Sequence, residues 1–491
     1  RLPFCRTRWS SDVRCKHVFN SEENSVKNEY RGTRIPQSWY NLRADLSEPL
    51  PPPLGADGHP LAAKEWEPLF TPSLVEQEYT CERSVPIPEE VLERLSAWRP
   101  TPLRRAKRFE EALGTKARIY YKDESVSPAG SHKATTAVAQ AYYNKIAGVK
   151  RLVTETGAGQ WGSALSLACG FFGLQCLVYM VRNSYEKKPL RRILMETWGG
   201  RCLPSPTDGT EAGRQALKRD PNTPGSLGIA IAEAVERVVS DGSGESRYAL
   251  GSVLNHVLLH QSLIGLEAME QIREGGESEP DTLIGCVGGG SNFAGLTFPF
   301  LNPGRGVGRP RVLAVEPAGC PTLTRGPFVY DHGDSAGLTP LLPMHSLGRL
   351  FIPNPIHAGG LRYHGMAPLV SHVLRQGMGE AWAVPQSESF KAALLFARTE
   401  GIVPAPETGH ALAGVVREAL STEGKGRVIL FTLSGHGLLD LQGYADYMGG
   451  RLEDVPIKEE ELLKSVQGVS TFEDALGRAA KAVQPYLPLL P

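Results

Sequence analysis

The body of the chain alternates short β-rich runs with helical segments, and this alternation restricts the possible folds more than any other feature. Such an order is typical of parallel sheets whose strands are joined by crossover helices. The predicted strands lie at 118–121, 152–154, 177–181, 282–287, 312–315 and 428–433. The predicted helices lie at 134–145, 160–169, 188–198, 228–239, 257–273, 387–400 and 410–420. The sequence therefore predicts an α/β fold, and residues 340–360 are expected to form a long loop.

The stretch from Thr156 to Val181 has no charged residue and is long enough to cross a bilayer. It contains several glycines and serines, however, and a Gly-Phe-Phe-Gly sequence at 170–173 interrupts it. We interpret it as a loop, a buried helix, a turn and a buried strand, which is typical of a parallel α/β core. No membrane partner is expected.

Charge and cysteine content narrow the function classes further. The 53 basic side chains balance 53 acidic ones, so no long-range field favours nucleic acid or an anionic membrane. The eight cysteines show neither a CxxC motif nor a Cys/His ligand spacing. This pattern predicts reduced thiols in a soluble intracellular protein and no metal site.

Residues 1–20 contain five basic side chains and a single acid, Asp12. Without an apolar run, the segment resembles the end of an organelle transit peptide more than a secretory signal. A disordered basic leader without an address and a truncated chain are equally open interpretations. The predicted compartment is a plastid if the segment is a transit-peptide remnant, and the cytoplasm otherwise.

One lysine follows a turn-rich loop in the segment Ser127 to Ala137, which reads Ser-Pro-Ala-Gly-Ser-His-Lys-Ala-Thr-Thr-Ala. Lys133 would begin a helix, where unpaired backbone N–H groups carry partial positive charge. That charge and an apolar surrounding both favour the neutral, nucleophilic amine that Schiff-base chemistry needs. The alternative is a solvated lysine in the first turn.

A glycine-rich segment, Gly285 to Asn292, extends the strand predicted at 282–287. Ligands of open α/β sheets bind at the carboxyl ends of strands, and consecutive glycines let the backbone approach an anion. The segment lacks the Lys-[Ser/Thr] ending of a nucleotide P-loop and the spacing of a dinucleotide fingerprint. A compact monophosphate is therefore favoured as ligand, with a tight strand–helix turn as the alternative.

Three further acids and hydroxyls follow predicted strands or precede helices. Glu155 ends a strand and precedes Gly-Ala-Gly, so it could transfer protons beside backbone N–H groups that hold a carboxylate. Ser434 could hydrogen-bond a ring nitrogen, and Glu407 lies on a loop before a helix. Helix capping is the alternative for each. Together with the lysine and the glycine turn, they suit pyridoxal phosphate acting on an amino acid.

At these residues the sequence resembles the tryptophan synthase beta chain family, and most of all its second-type branch with an N-terminal extension. The resemblance runs from about Trp39 to Leu452 and its motifs are highly specific as an ordered set. The motifs are Arg99–Leu103 (RPTPL), Gly130–Lys133 (GSHK), Thr154–Gly162, Gly225–Glu236, Gly251–Gln261, Gly285–Phe293, His357–Gly365 and Leu433–Gly437.

The resemblance implies a fold-type II pyridoxal phosphate enzyme, with two parallel-sheet, three-layer α/β domains and the cofactor between them. Residues 46–98 and 132–258 would form the N-terminal domain, and 99–131 and 259–455 the C-terminal domain. Residues 1–45 would be a basic leader and extended arm, and 456–491 a charged tail helix.

Residue roles follow from the same resemblance. Lys133 would be the Schiff-base lysine and Glu155 the acid–base group at the substrate β-carbon. Cofactor contacts would come from His132, Lys133, Gly288, Gly289, Gly290, Ser291, Asn292, Glu407 and Ser434. The serine carboxylate would bind to Thr156, Gly157, Ala158, Gly159 and Gln160.

The implied reaction is the pyridoxal-phosphate-dependent β-replacement of L-serine by indole, the lyase step that completes tryptophan biosynthesis. Another fold-type II enzyme, such as a serine or threonine deaminase, and a non-catalytic binding protein are the alternatives. A homodimer is implied, and a monovalent cation as a further ligand is left open. Two departures, Thr135 in place of an Asn and Arg362 in place of an acid, predict an altered phosphate contact and a weak or absent alpha-subunit partner.

Overall fold

A computed structural model describes residues 29–30, 32, 34–421, 426–455, 457–467 and 469–471. The predicted basic leader lies outside these residues, as do residues 472–491. In the part of the chain that is described, no helix is long and apolar enough to span a membrane. The uncharged stretch instead forms a loop, a helix and a strand, as predicted.

Strands and helices alternate along the body. The strands are β1 (Glu29–Tyr30), β2 (Ser38–Tyr40), β3 (Ser84–Pro86), β4 (Leu103–Arg105), β5 (Arg118–Asp123), β6 (Arg151–Thr156), β7 (Gln175–Val181), β8 (Gly200–Ser205), β9 (Ser246–Tyr248), β10 (Thr282–Cys286), β11 (Arg311–Pro317), β12 (Phe328–His332), β13 (Leu341–His345), β14 (Glu380–Val384), β15 (Val428–Leu433) and β16 (Ser470–Thr471). The helices are α1 (Pro72–Tyr79), α2 (Glu89–Leu95), α3 (Lys107–Leu113), α4 (Ala134–Ile146), α5 (Gln160–Phe172), α6 (Arg182–Lys187), α7 (Pro189–Thr197), α8 (Glu211–Arg219), α9 (Leu227–Val239), α10 (Asn255–Gln261), α11 (Leu263–Glu274), α12 (Ser291–Thr297), α13 (Thr322–Arg325), α14 (Pro368–Arg375), α15 (Gln386–Glu400), α16 (Pro406–Ser421), α17 (Leu441–Met448) and α18 (Glu459–Val466).

Two sheets organise the fold and confirm the α/β class. The smaller sheet has the order β8-β7-β6-β9 and all its pairs are parallel. The larger has the order β1-β4-β5-β15-β10-β11-β14, parallel from β5 to β14 and antiparallel at its β1 and β4 edge. β5, although early in the chain, pairs with β15 of the larger sheet. The domain boundaries given above stay a prediction.

Each sheet contains one point at which the direction of the strand order reverses. In the smaller sheet the chain moves from β6 to β7 to β8 and then returns to place β9 on the other side of β6. In the larger sheet it moves from β10 to β11 to β14 and returns to place β15 on the other side of β10. Crossover connections are right-handed, so helices leave opposite faces at such a point and a crevice opens at the strands' carboxyl ends.

The expectation of a loop over 340–360 is wrong in part. Leu341–His345 forms β13, which pairs with β12 in the antiparallel register Phe328↔His345. Its central residues are buried, and one of them is Pro343. β13 is an edge strand of its three-stranded sheet, where a proline is tolerated because one row of backbone groups needs no partner strand.

Candidate active site

The two reversal points face one cleft. The loops after β6 and β10 line it, together with Lys133, Glu407 and Ser434. The space free of protein atoms in the cleft, including the part open to solvent, is about 800 Å³. Of the site residues predicted from the sequence, the cleft is lined by His132, Lys133, Glu155, Thr156, Gly157, Ala158, Gln160, Gly288, Gly289, Gly290, Ser291, Asn292, Glu407 and Ser434.

Lys133 lies immediately before α4 and its side chain is half-buried in the cleft. The Nζ atom donates a hydrogen bond to the carbonyl oxygen of Gly251 at 3.1 Å. Burial lowers the pKa of Lys133 to about 8, although the nearby carboxylates of Glu155 and Glu407 act to raise it. Roughly a tenth of the amine is therefore neutral at pH 7, and this neutral form is the nucleophile.

The glycine turn after β10 fits a phosphate. Gly290 adopts a φ of +101°, which favours glycine. A Cβ atom on Gly289 would lie 2.5 Å from Ser252 Oγ, and one on Gly288 would collide with the carbonyl oxygen of Gly360. The turn can pack this closely against its neighbours only because side chains are missing. Asn292 adds a buried Oδ1 atom without a hydrogen-bond partner among the described residues, which suits a site completed by a ligand.

His132 joins this turn to the strand end at Ser434. Its Nδ1 atom lies 3.2 Å from the carbonyl oxygen of Ser434, and its Nε2 atom lies 3.3 Å from Ser291 Oγ. Because a carbonyl oxygen only accepts, Nδ1 is the protonated nitrogen. Burial and the neighbouring Lys133 charge lower the pKa of His132 to about 3, so the ring is neutral at physiological pH.

Glu155 is 3% exposed and lies near the end of β6. Burial raises its pKa to about 7, while hydrogen bonds, chiefly from Tyr248, and the Lys133 charge act to lower it. The phenol of Tyr248 donates to Glu155 Oε2 at 2.5 Å. A carboxyl group with this pKa both gives and takes a proton near pH 7, which is the requirement for general acid–base catalysis.

The loop between β6 and α5 closes the cleft with closely packed backbone. Gly157 has no room for a side chain, since a Cβ atom would lie 2.8 Å from the carbonyl oxygen of Gly359. Gln160 Nε2 donates to Glu407 Oε2 at 3.1 Å across the cleft. Gly159 is the one predicted ligand that does not line the cleft: with φ at +98° it packs against Arg191 on the far side.

Ser434, which follows β15, pairs its hydroxyl with the hydroxyl of Thr408. Ser434 Oγ lies 2.8 Å from Thr408 Oγ1 and 3.6 Å from the Sγ atom of Cys286, and all three residues are buried. A hydroxyl of this kind can donate to a neutral pyridine-type nitrogen and places no charge beside it. Glu407 accepts from the backbone N–H of Gly360 at 2.8 Å.

Several functional positions were missed in the sequence. Tyr248 ends a strand of only three residues and carried no recognisable pattern. Gly251 begins one of the motifs above, but the contact of its carbonyl oxygen with Lys133 was not predicted. An apolar wall completes the cleft, formed by Trp161, Leu227, Ile231, Leu250, Val253, Leu361 and Tyr363. The two residues that depart from the family pattern, Thr135 and Arg362, do not line the cleft. Thr135 Oγ1 accepts a hydrogen bond from Arg99, and Arg362 donates to the carbonyl oxygen of Pro353.

Comparison with known proteins relates the whole cleft to one family. Residues 95–435 match the family model described as "Pyridoxal-phosphate dependent enzyme". The chain is 59% identical over 427 residues to the tryptophan synthase beta chain 2 of Aquifex aeolicus, covering 86% of this chain and 98% of that protein. It is 57% identical over 431 residues to the protein of the same name from Aeropyrum pernix, covering 87% and 96%.

Solved structures with similar folds are more distant in sequence. An L-serine ammonia-lyase from Rhizomucor miehei superposes with a TM-score of 0.54 at 17% identity, covering 72% of this chain and 98% of that one. Maize serine racemase gives 0.52 at 19% identity, with coverage of 74% and 97%. At such identities the likeness concerns the fold alone.

Proposed function

The chain belongs to the pyridoxal-phosphate dependent enzymes and, among them, to the tryptophan synthase beta chains, and from this premise we propose how it makes L-tryptophan and water from L-serine and indole. The observation that carries the proposal is the joint placement of Lys133, the glycine turn 288–290 and Glu155 on one cleft. An amine, an anion cradle and an acid with a pKa of about 7 are the groups that this reaction needs.

The cofactor residues are assigned from the family resemblance, and their shared place on the cleft supports the assignment. The turn Gly288 to Asn292, with His132 beside it, would hold the phosphate, and Lys133 would hold the aldehyde carbon. Ser434 would face the pyridine nitrogen, and Glu407 would lie near the ring. A bound pyridoxal phosphate supplies an electron sink for the substrate's α-carbon.

The substrate residues act in sequence. The backbone of residues 156–160 would orient the serine carboxylate, and the Lys133 amine would take the α-proton. Glu155 would give its proton to the leaving hydroxyl as the Cβ–O bond breaks, so that water departs. Carbon C3 of indole would then bond to Cβ, Glu155 would take the C3 proton, and Lys133 would return a proton to the α-carbon.

The apolar wall of the cleft supports indole, rather than water, as the group that would react at Cβ. Leu227, Ile231 and Leu250 line the cleft beside Glu155, and they would stack against the indole ring and exclude water. Exclusion of water matters because a water molecule at Cβ would compete with indole.

Steady-state synthesis from L-serine and indole tests the proposal, with pyruvate release measured in parallel. We expect tryptophan to exceed pyruvate by a wide margin when indole is present. Pyruvate as the main product in saturating indole would favour a serine deaminase instead.

We propose that the chain forms a homodimer and acts on indole without an alpha subunit. The independence from an alpha subunit is proposed because Arg362, rather than an acid, follows the Gly359–Leu361 turn. Light scattering of the pure chain tests the dimer, and titration with an alpha subunit during indole turnover tests its independence.

A monovalent cation is proposed as an activator, to be tested by comparing K⁺, Na⁺ and a large organic cation. For the compartment, a fluorescent fusion of residues 1–45 distinguishes a plastid address from cytoplasmic retention.

A further inference from the structure

Tyr248 and Glu155 meet at the reversal point of the smaller sheet. β9 and β6 are parallel with Val153 opposite Tyr248, so Glu155 lies two residues further along the neighbouring strand. The phenol reaches across this offset and donates to Glu155 Oε2 at 2.5 Å. Both side chains are buried, at 2% and 3% exposure. The contact therefore joins the last residue of one strand to the proposed acid–base group of the next.

The phenol itself is held rigidly. Its ring packs against Phe70 with 5.8 Å between ring centroids, and its backbone N–H donates to the carbonyl oxygen of Leu69 at 2.9 Å. Tyr248 also lines a small apolar cavity with Trp66, Leu254 and Leu342, which adjoins the main cleft across Leu250 and Tyr363. A fixed donor of this kind restricts the carboxyl group to one orientation.

We infer that Tyr248 is a positioning residue for Glu155, whose hydroxyl orients the carboxyl group toward the cleft and stabilises its ionised form. This inference rests on the proposed function, in which Glu155 is protonated before the substrate hydroxyl leaves as water and ionised when indole reacts. Without the phenol, the carboxyl group would lose both its fixed orientation and a hydrogen bond to its charged form.

The surrounding charges support the same assignment. Lys133 faces Glu155 from the start of α4 and lowers its pKa, in the same direction as the phenol. Burial raises the pKa of Tyr248 well above its usual value, and Glu155, Tyr363 and Asp334 add to that rise. Tyr248 thus stays a protonated donor throughout the range in which Glu155 titrates.

The test is Tyr248→Phe, with Tyr330→Phe as the matched control. Tyr330 is also buried, but its hydroxyl donates to the carbonyl oxygen of Pro52. Infrared pH titration follows the C=O band of protonated Glu155, identified by its loss in Glu155→Gln, with and without bound cofactor. We expect the midpoint to rise by about one pH unit or more in Tyr248→Phe and to stay unchanged in Tyr330→Phe.

Kinetics of the holoenzyme supply the second readout. In Tyr248→Phe the acidic limb of the kcat profile for indole addition should move to higher pH by a similar amount. If the variant folds poorly, difluorotyrosine at position 248 should move the infrared midpoint downward, since a more acidic phenol donates more strongly. If the infrared midpoint of Glu155 does not shift in Tyr248→Phe, the inference is overturned, whatever the activity of the variant. Absence of tryptophan formation by the unmodified chain would overturn the proposed function alone.

Discussion

The ε-amino group of Lys133 and the hydroxyl of Ser291 donate hydrogen bonds to the same carbonyl oxygen, that of Gly251, at 3.1 and 3.2 Å. These two donors therefore lie within two hydrogen-bond lengths of each other. One belongs to the proposed aldehyde-binding lysine and the other to the proposed phosphate turn. This separation suits a single small cofactor that joins them.

Gly289→Ala is expected to weaken pyridoxal phosphate binding by about tenfold or more, equivalent to about 1.4 kcal/mol. Its Cβ atom would lie 2.5 Å from Ser252 Oγ in the wall of the turn, so the backbone must move. Equilibrium dialysis with the cofactor measures the change. Gly308→Ala is the control, because nothing lies within 4 Å of its Cβ position. Equal affinities for the two variants would contradict the assignment of the phosphate site.

Capture of the cofactor by the free chain should accelerate as pH rises through about 8. Burial lowers the pKa of Lys133 to about 8, so the ammonium form dominates below that pH and the reactive amine above it. Stopped-flow absorbance from pH 6.5 to 9.5, at saturating cofactor, gives the profile. A rate that did not change over this range would argue against titration of Lys133 as its cause.

Glu155→Gln should lower tryptophan synthesis by roughly 10²–10⁴-fold, because an amide neither donates nor takes the proton in transfer. Cofactor affinity should stay within a few-fold of the original. Glu316→Gln is the matched control: Glu316 is also buried with a pKa raised to about 7, but it accepts from the backbone of Leu323 and Thr324. Full synthesis by Glu155→Gln would show that another group performs the acid–base role.

A buried ion cluster next to the site is expected to dominate stability. Lys122 Nζ lies 2.6 Å from Glu267, which also pairs with Arg99 at 2.9 Å, and Arg99 contacts Glu124 and Thr135. Lys122→Met should lower the free energy of unfolding by about 3–5 kcal/mol, since it leaves buried carboxylates underpaired.

The exposed pair Arg214–Glu211 is the control for that prediction. The Arg214 and Glu211 side chains are 52% and 60% exposed, so Arg214→Ala should cost no more than about 1 kcal/mol. Urea unfolding at one fixed protein and cofactor concentration measures both variants. A similar cost for the two would mean that the buried cluster contributes no more than a surface pair.

The sequence predicted those parts of the site that follow strands. Lys133, Glu155, the glycine turn and Ser434 stand where a strand ends or a helix begins, and parallel sheets bring such positions to one edge. Gly159, predicted to bind the serine carboxylate, does not line the cleft, because its positive φ, invisible in the sequence, places it against Arg191; its role as a ligand stays a prediction. Tyr248 was missed because its role depends on the pairing of β9 with β6, which no local pattern encodes.

Borohydride reduction of the cofactor-loaded chain, followed by peptide mass spectrometry, tests the central assignment most directly. The account predicts a yellow protein whose reduction leaves a pyridoxyl group on the peptide that contains Lys133, and no label in Lys133→Met. A chain that stays colourless with added cofactor, or a label on any other lysine, would contradict it.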